Sequence, residues 1–295
     1  MRMVRGQAIV SSSRTGPQWT LSISPARSCE SNILMVTLKK STSILQLKGG
    51  LIVSCQPRPH SALDRPNFVA AMAAVAEQQG AVGVRIRGAR NIRAVHRAVG
   101  IPIVGIEKTN YPDSAVYITP TLESVRRIHR AGAEIIALDA TERARPYNQS
   151  LARIIDESRT RLGALLMADV ATVQQGLEAA KHGVNLISTT LYGYTEETQD
   201  CQGPGFDLLR RLVQEVDLPV ILEGRVHEPE QVRKAFDLGA YAVVVGTAIT
   251  DFEWLTRRFV EACPTGHESR PASPRPKNSL SRSIPSERTG SKKRP

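Results

Sequence analysis

The stretch PVILEGRVHEPEQVRKAFDLGAYAVVVGT, residues 219–247, decides the fold. It opens on one apolar run, PVILEG (219–224), and closes on another, AVVVGT (242–247). Between them, EQVRKAFDLG sets Val232, Ala235 and Phe236 at helical spacing and stops at a glycine. A near-continuous aliphatic run marks a strand buried on both faces, and strand, helix, strand in that form is a unit of parallel sheet. The same alternation recurs toward the N-terminus. Further strand candidates are LIVSCQ (51–56), VGVRIR (82–87), IPIVGI (101–106), EIIALDA (134–140), ALLMADV (164–170) and LISTTL (186–191). FVAAMAAVAEQQG, ESVRRIHRAG and VQQGLEAAKHG read as helices, each again ending in glycine. Eight such units predict an α/β chain folded as a (β/α)8 TIM barrel, and no G-x-G-x-x-G follows the first strand to suggest a dinucleotide site. The segment EKTNYPDSAVYITPT (107–121) is long for a βα loop and is expected over the active site.

The 295 residues leave room beyond one barrel of roughly 250. The expected organisation is an N-terminal extension over 1–46, the barrel over 47–262 and a disordered basic tail over 263–295. The formal charge is +11, but residues 1–48 carry +6, residues 264–295 carry +6 and the middle carries −1. The basicity lies in the ends, so it does not make the folded part a nucleic-acid binder. Aromatic content of 4% argues against a base-stacking platform. The tail is rich in Pro, Ser and Arg and cannot bury enough surface to order itself. Residues 1–34 have the Arg/Ser-rich, acid-poor composition of a transit peptide, or represent an upstream extension before a natural start at Met35. Cys29, Cys55, Cys201 and Cys263 show no zinc spacing, and the six histidines show no ligand spacing. No apolar stretch is long enough to span a bilayer. A cytoplasmic protein without a membrane or nucleic-acid partner is expected, assembled as a homodimer.

In a barrel, polar residues at the C-terminal ends of the strands converge on one ligand. That rule selects Gln56, Arg85, Lys108, Asp139, Asp169, Thr189, Glu223, Gly246 and Thr247. Lys108 in a dehydrated mouth has a lowered pKa and serves as a base or a Schiff-base amine, against the plain reading of a surface lysine beside Glu107. Glu223 follows four apolar residues, where a carboxylate needs a function, a salt-bridge partner such as Arg85 or Lys108, or helix-cap duty. Arg85 within a strand needs an anionic ligand or a buried carboxylate. Asp139 and Asp169 read as sugar-hydroxyl ligands or as helix caps, the cap being strong for Asp139 before Thr141 and Glu142. Gly224 with Arg225, and Gly246 with Thr247, follow strands 7 and 8, where many barrels bind phosphate through backbone N–H groups.

The blocks LKGGLIVSCQ (47–56), GAVGVRI (80–86), PIVGIEK (102–108), DSAVYITPT (113–121), EIIALDAT (134–141), LLMADV (165–170), STTLYGYT (188–195), PVILEGR (219–225) and VVVGTAIT (243–250) resemble the N-acetylmannosamine-6-phosphate 2-epimerase family. The resemblance runs in order over about residues 47–262. It implies an isomerase of amino-sugar and sialic acid catabolism that interconverts N-acetylmannosamine 6-phosphate and N-acetylglucosamine 6-phosphate. No metal, nicotinamide or pyridoxal cofactor is implied. Lys108 and Glu223 match the family's catalytic positions, Gln56, Arg85 and Asp169 its substrate-binding positions, and Gly224, Gly246 and Thr247 its phosphate end. One departure stands out: where the family often carries arginine after AIT, this chain has Asp251. Either Asp251 turns away at the start of the last helix, or another cation such as Arg225 or Arg258 replaces the arginine. The rival readings are a Schiff-base aldolase through Lys108, a catalytically inactive sugar-phosphate sensor and a basic-tailed nucleic-acid binder.

Overall fold

The structure, a computed structural model, describes residues 42–264. The expectations for residues 1–34 and for the basic tail fall outside them, save for the tail's first two residues.

Eight parallel strands close in sequence order into a barrel, β8 pairing back onto β1. They are β1 (Leu51–Cys55), β2 (Gly83–Arg87), β3 (Ile103–Ile106), β4 (Ile135–Asp139), β5 (Leu165–Asp169), β6 (Leu186–Ser188), β7 (Val220–Glu223) and β8 (Ala242–Val245). The helices between them are α1 (Pro66–Gln78), α2 (Ala89–Val95), α3 (Leu122–Arg130), α4 (Leu151–Thr160), α5 (Val173–His182), α6 (Phe206–Glu215) and α7 (Pro229–Asp237). A four-residue helix, α8 (Thr247–Thr250), follows β8. The eight expected strands are all present; LISTTL is the one that shortens most, ending at Ser188.

Side chains alternate along each strand, so every strand feeds two cores. Ile52, Val104, Ile135, Met167, Leu186, Ile221 and Val244 fill the barrel interior. Val53, Val84, Ile136, Leu166, Ile187, Leu222 and Val243 face the helices. This double burial is why the strands read as continuous apolar runs. Each fully buried Ile or Leu contributes about 1.5–3 kcal/mol. Helix starts are fixed locally. Thr121 and Ser150 accept from Ser124 N and Arg153 N, and Thr172 with Gln175 forms a capping box on α5.

Helical residues 42–46 precede the barrel proper, with Ile44 packed on the interior core and its carbonyl accepting from Tyr241 Oη at 3.1 Å. The chain divides into two compact units at Asp251. The described part of the second contains α9 (Phe252–Glu261), where Arg258 stacks over the Trp254 ring at 4.7 Å. Among the described residues no helix is long and apolar enough to cross a membrane.

Candidate active site

The interior positions nearest the strand C-termini are polar. Strand parity brings Ser54, Arg85, Lys108, Thr190, Glu223 and Gly246 to one cavity of about 270 Å3. That is near the small end of ligand pockets, roughly 300–1,000 Å3.

Arg85 sits at its floor and is 1% exposed. It forks onto two carboxylates. Nη1 and Nη2 donate to Asp169 at 3.1 and 2.6 Å, and Nη1 lies 2.8 Å from Glu223 Oε2. Burial alone would lower the guanidinium pKa, but Asp169 and Glu223 together raise it, so Arg85 stays charged. Two polar atoms here are buried with no hydrogen-bond partner among the described residues: Arg85 Nε and Gln56 Oε1. Gln56 is oriented by its own amide, Nε2 donating to Ser54 Oγ at 2.8 Å. An unsatisfied buried donor and acceptor in one cavity are costly for the protein alone and suit a ligand that offers both.

Lys108 projects into the same mouth and makes no ion pair among the described residues. Its accessible surface is large because the cavity is open, yet protein surrounds the ammonium. That crowding counts for desolvation, and it pulls the lysine down to about 8, with Arg85 adding to the fall and Glu223 opposing it. The plain alternative, a surface lysine beside Glu107, fits its exposure, but Glu107 does not pair with it: that carboxylate grips Arg127 at 2.6 and 2.7 Å. Glu223 is raised above the usual carboxylate range, first by burial and then by Asp169, with Arg85 opposing.

The 107–121 segment does lie over the mouth. Lys108 bridges Ile118, Thr119 Oγ1 donates to Ala137 O at 2.6 Å and Asp139 N donates to Ile118 O at 3.1 Å. Thr119 is held at φ 44°, an unfavourable region for a β-branched residue. The pinned segment delivers Tyr117 to the cavity wall, its phenol raised by burial and by Asp169 and Asp139.

Not every expected residue reaches the cavity. Asp139 is fully buried but occupied with its own loop: Oδ1 accepts from Thr141 N and Oγ1, and Oδ2 accepts from Arg143 Nη2 at 2.7 Å. Asp139 thus closes a turn in its own loop, and the expected helix cap is not made: Ser150 caps the next α-helix, α4. Thr189 exchanges hydrogen bonds of 3.0 Å with the Glu223 backbone and does not line the mouth. Its neighbour Thr190 does, bonding Asp169 Oδ1 at 2.8 Å and Glu223 Oε2 at 3.0 Å. Asp169 registers with Ser188, and side chains alternate, so 188 and 190 point inward. That one-residue slip was readable from the alternation.

At the β7–β8 end, Gly224 takes φ 108°, open only to glycine without strain, and a Cβ at Gly246 would stand 3.1 Å from Ser54 Cβ. Thr247 lines the cavity beside them. Arg225 also lines it, but its terminal nitrogens bond the carbonyls of Cys201 and Gly193, the latter at 2.7 Å, and its guanidinium lies over the Tyr194 ring. Asp251 does not turn away: it lines the cavity, gripped by Arg58, a residue the sequence did not single out. Cys55 is a buried thiol pushed up to about 12 by burial, and plays no part in the mouth.

The family model described as "Putative N-acetylmannosamine-6-phosphate epimerase" matches residues 69–265. The chain belongs to this family. Similar relatives carry the name "Putative N-acetylmannosamine-6-phosphate 2-epimerase". That of Cutibacterium acnes is 46% identical over 74% of this chain and 96% of its own length. That of Clostridioides difficile is 43% identical over 74% and 97%, and that of Synechococcus elongatus 44% identical over 76% and 98%. Among solved structures, the N-acetylmannosamine-6-phosphate 2-epimerase of Clostridium perfringens superposes with a TM-score of 0.72 at 41% identity, covering 75% of this chain and 96% of that one. A mandelate oxidase at 19% identity and a TM-score of 0.51 shares the barrel fold alone. For this epimerase-family chain, the mouth described above is therefore the place to seek the chemistry.

Proposed function

We propose that the chain interconverts N-acetylmannosamine 6-phosphate and N-acetylglucosamine 6-phosphate, with Lys108 and Glu223 as its catalytic residues. The supporting observation is Lys108: an amine lowered to about 8, facing a buried arginine and two carboxylates in a sugar-sized cavity. In the open-chain sugar the C2 proton lies α to an aldehyde and is acidic enough for a neutral amine to remove. Lys108 Nζ takes it, negative charge develops on the aldehyde oxygen, and a fixed cation such as Arg85 stabilises that charge without reorganising. Return of a proton to the opposite face inverts C2. Glu223, raised toward its protonated form, helps open the ring by proton transfer at the sugar oxygen. Gln56 Oε1 and Arg85 Nε gain the partners they lack from sugar hydroxyl and carbonyl groups, Asp169 holds Arg85 in place, and the glycines after β7 and β8 admit the phosphate.

The test is proton NMR of the purified protein with N-acetylmannosamine 6-phosphate in D2O. The gluco epimer should appear with deuterium at C2, and Lys108→Ala should abolish both while the protein stays folded. No epimer from the unmodified protein would refute the proposal. Borohydride trapping of substrate on Lys108 would redirect it to the Schiff-base aldolase.

A further inference from the structure

We propose that Arg58, held in place by Asp251, is the cation that recognises the phosphate group of the substrate; this rests on the reading that the β7–β8 end of the mouth takes a phosphomonoester. A phosphate there would meet glycine backbone and threonine, which supply donors but no charge. The two arginines that line the cavity are held there by protein groups on their terminal nitrogens. Arg85 is locked between Asp169 and Glu223, and the terminal nitrogens of Arg225 serve two carbonyls of the β6–α6 loop. Asp251 also lines the cavity, an anion that by itself would repel a dianion.

Arg58 answers it from just outside the cavity lining. Its Nε lies 3.2 and 3.0 Å from the two Asp251 oxygens, and its Nη2 lies 2.9 Å from Oδ2. The pair joins the loop after β1 to the end of α8, 193 positions apart in the chain. Asp251 is 18% exposed and Arg58 46%, so the carboxylate is the anchored member and the guanidinium the reachable one. A guanidinium fork donates to carboxylate and to phosphate oxygens in the same planar geometry. With Nε and Nη2 on Asp251, an arriving phosphate meets the Nη1–Nη2 edge while Asp251 still fixes the guanidinium. Arg58 is the ligand and Asp251 the positioning residue.

The experiment is steady-state kinetics on the full chain, with inorganic phosphate as a competitive probe and melting temperature in parallel. Arg58→Ala should raise KM for N-acetylmannosamine 6-phosphate roughly 10–100-fold, the loss of one charge-assisted contact, with kcat within about twofold. The inhibition constant for inorganic phosphate should rise with it, and Arg58→Lys should recover part of both. In the Arg58→Ala background Asp251 is an unneutralised anion, so adding Asp251→Ala should lower KM again. A lowered melting temperature with unchanged KM and unchanged phosphate inhibition would make the pair a structural tie and overturn the proposal. So would an Asp251→Ala change that leaves KM unmoved in that background. If the unmodified protein shows no turnover, the functional reading fails on its own. Calorimetric titration of inorganic phosphate into the unmodified and Arg58→Ala proteins then decides the clamp separately.

Discussion

Raising the pH from 6 to 10 is the sharpest perturbation of this site. At pH 7 an ordinary lysine near 10.5 is neutral in roughly one molecule in three thousand, whereas Lys108 at about 8 is neutral in roughly one in ten. If the neutral amine removes the C2 proton, kcat/KM climbs about tenfold from pH 6 to 7, about fivefold from 7 to 8 and less than about twofold beyond. The assay is initial rate of epimer formation at substrate well below KM, with deuterium wash-in at C2 as an independent reading of proton abstraction. A profile that is flat across this range, or still climbing tenfold per unit at pH 10, would refute the reasoning. Stability supplies a second reading of the same shift. The folded pKa lies below the unfolded one, so the penalty for confining the ammonium is fully present below about pH 8 and is relieved as pH rises from 8 toward 10.5. Lys108→Met should accordingly raise the melting temperature at pH 7, and that gain should shrink toward pH 10.

Other outcomes follow from the same geometry. Asp169→Ala leaves Arg85 buried with one carboxylate in place of two, and should cost about 3 kcal/mol in urea unfolding, at the low end for a broken buried pair. Thr190→Val should lower kcat about tenfold with little change in circular dichroism, since the hydroxyl touches both site carboxylates. Asp139→Ala should destabilise the protein while leaving KM unchanged, because its oxygens serve Thr141 and Arg143; a large rise in KM would return Asp139 to the substrate.

The barrel was legible because burial on both faces writes each strand as an apolar run. Strand ends were nearly as clear, since Asp169 and Glu223 each break a run of aliphatic residues and Glu107 with Lys108 ends another. What escaped was set by contacts rather than by local pattern. Thr189 and Thr190 are identical letters, and strand parity alone separates the one bonded to backbone from the one in the mouth. Asp139 and Asp169 occupy equivalent, directly paired positions on β4 and β5, yet one is taken by Arg143 and the other by Arg85. Arg58 sits in a Pro-rich loop with nothing local to mark it, and its meaning depends on a carboxylate 193 positions away. Tyr117 reached the site on a segment whose place over the mouth was foreseen but whose side-chain direction was not.

The Thr190 hydroxyl has a further consequence. It stands 2.8 Å from Asp169 Oδ1, 3.0 Å from Glu223 Oε2 and 2.8 Å from Ser188 Oγ, but it carries one hydrogen. Two ionised carboxylates cannot both be satisfied by it. When the O–H points at Asp169, Glu223 Oε2 faces a lone pair on the threonine side and leans on Arg85 Nη1, 2.8 Å away, or on a hydrogen of its own. When the O–H points at Glu223, Glu223 can remain an anion, and Asp169 leans wholly on Arg85. The rotation of one small side chain thus decides which of the two carboxylates shares Arg85 with a hydroxyl and which leans on the guanidinium alone, so a threonine with no acid–base chemistry of its own sets the balance between them.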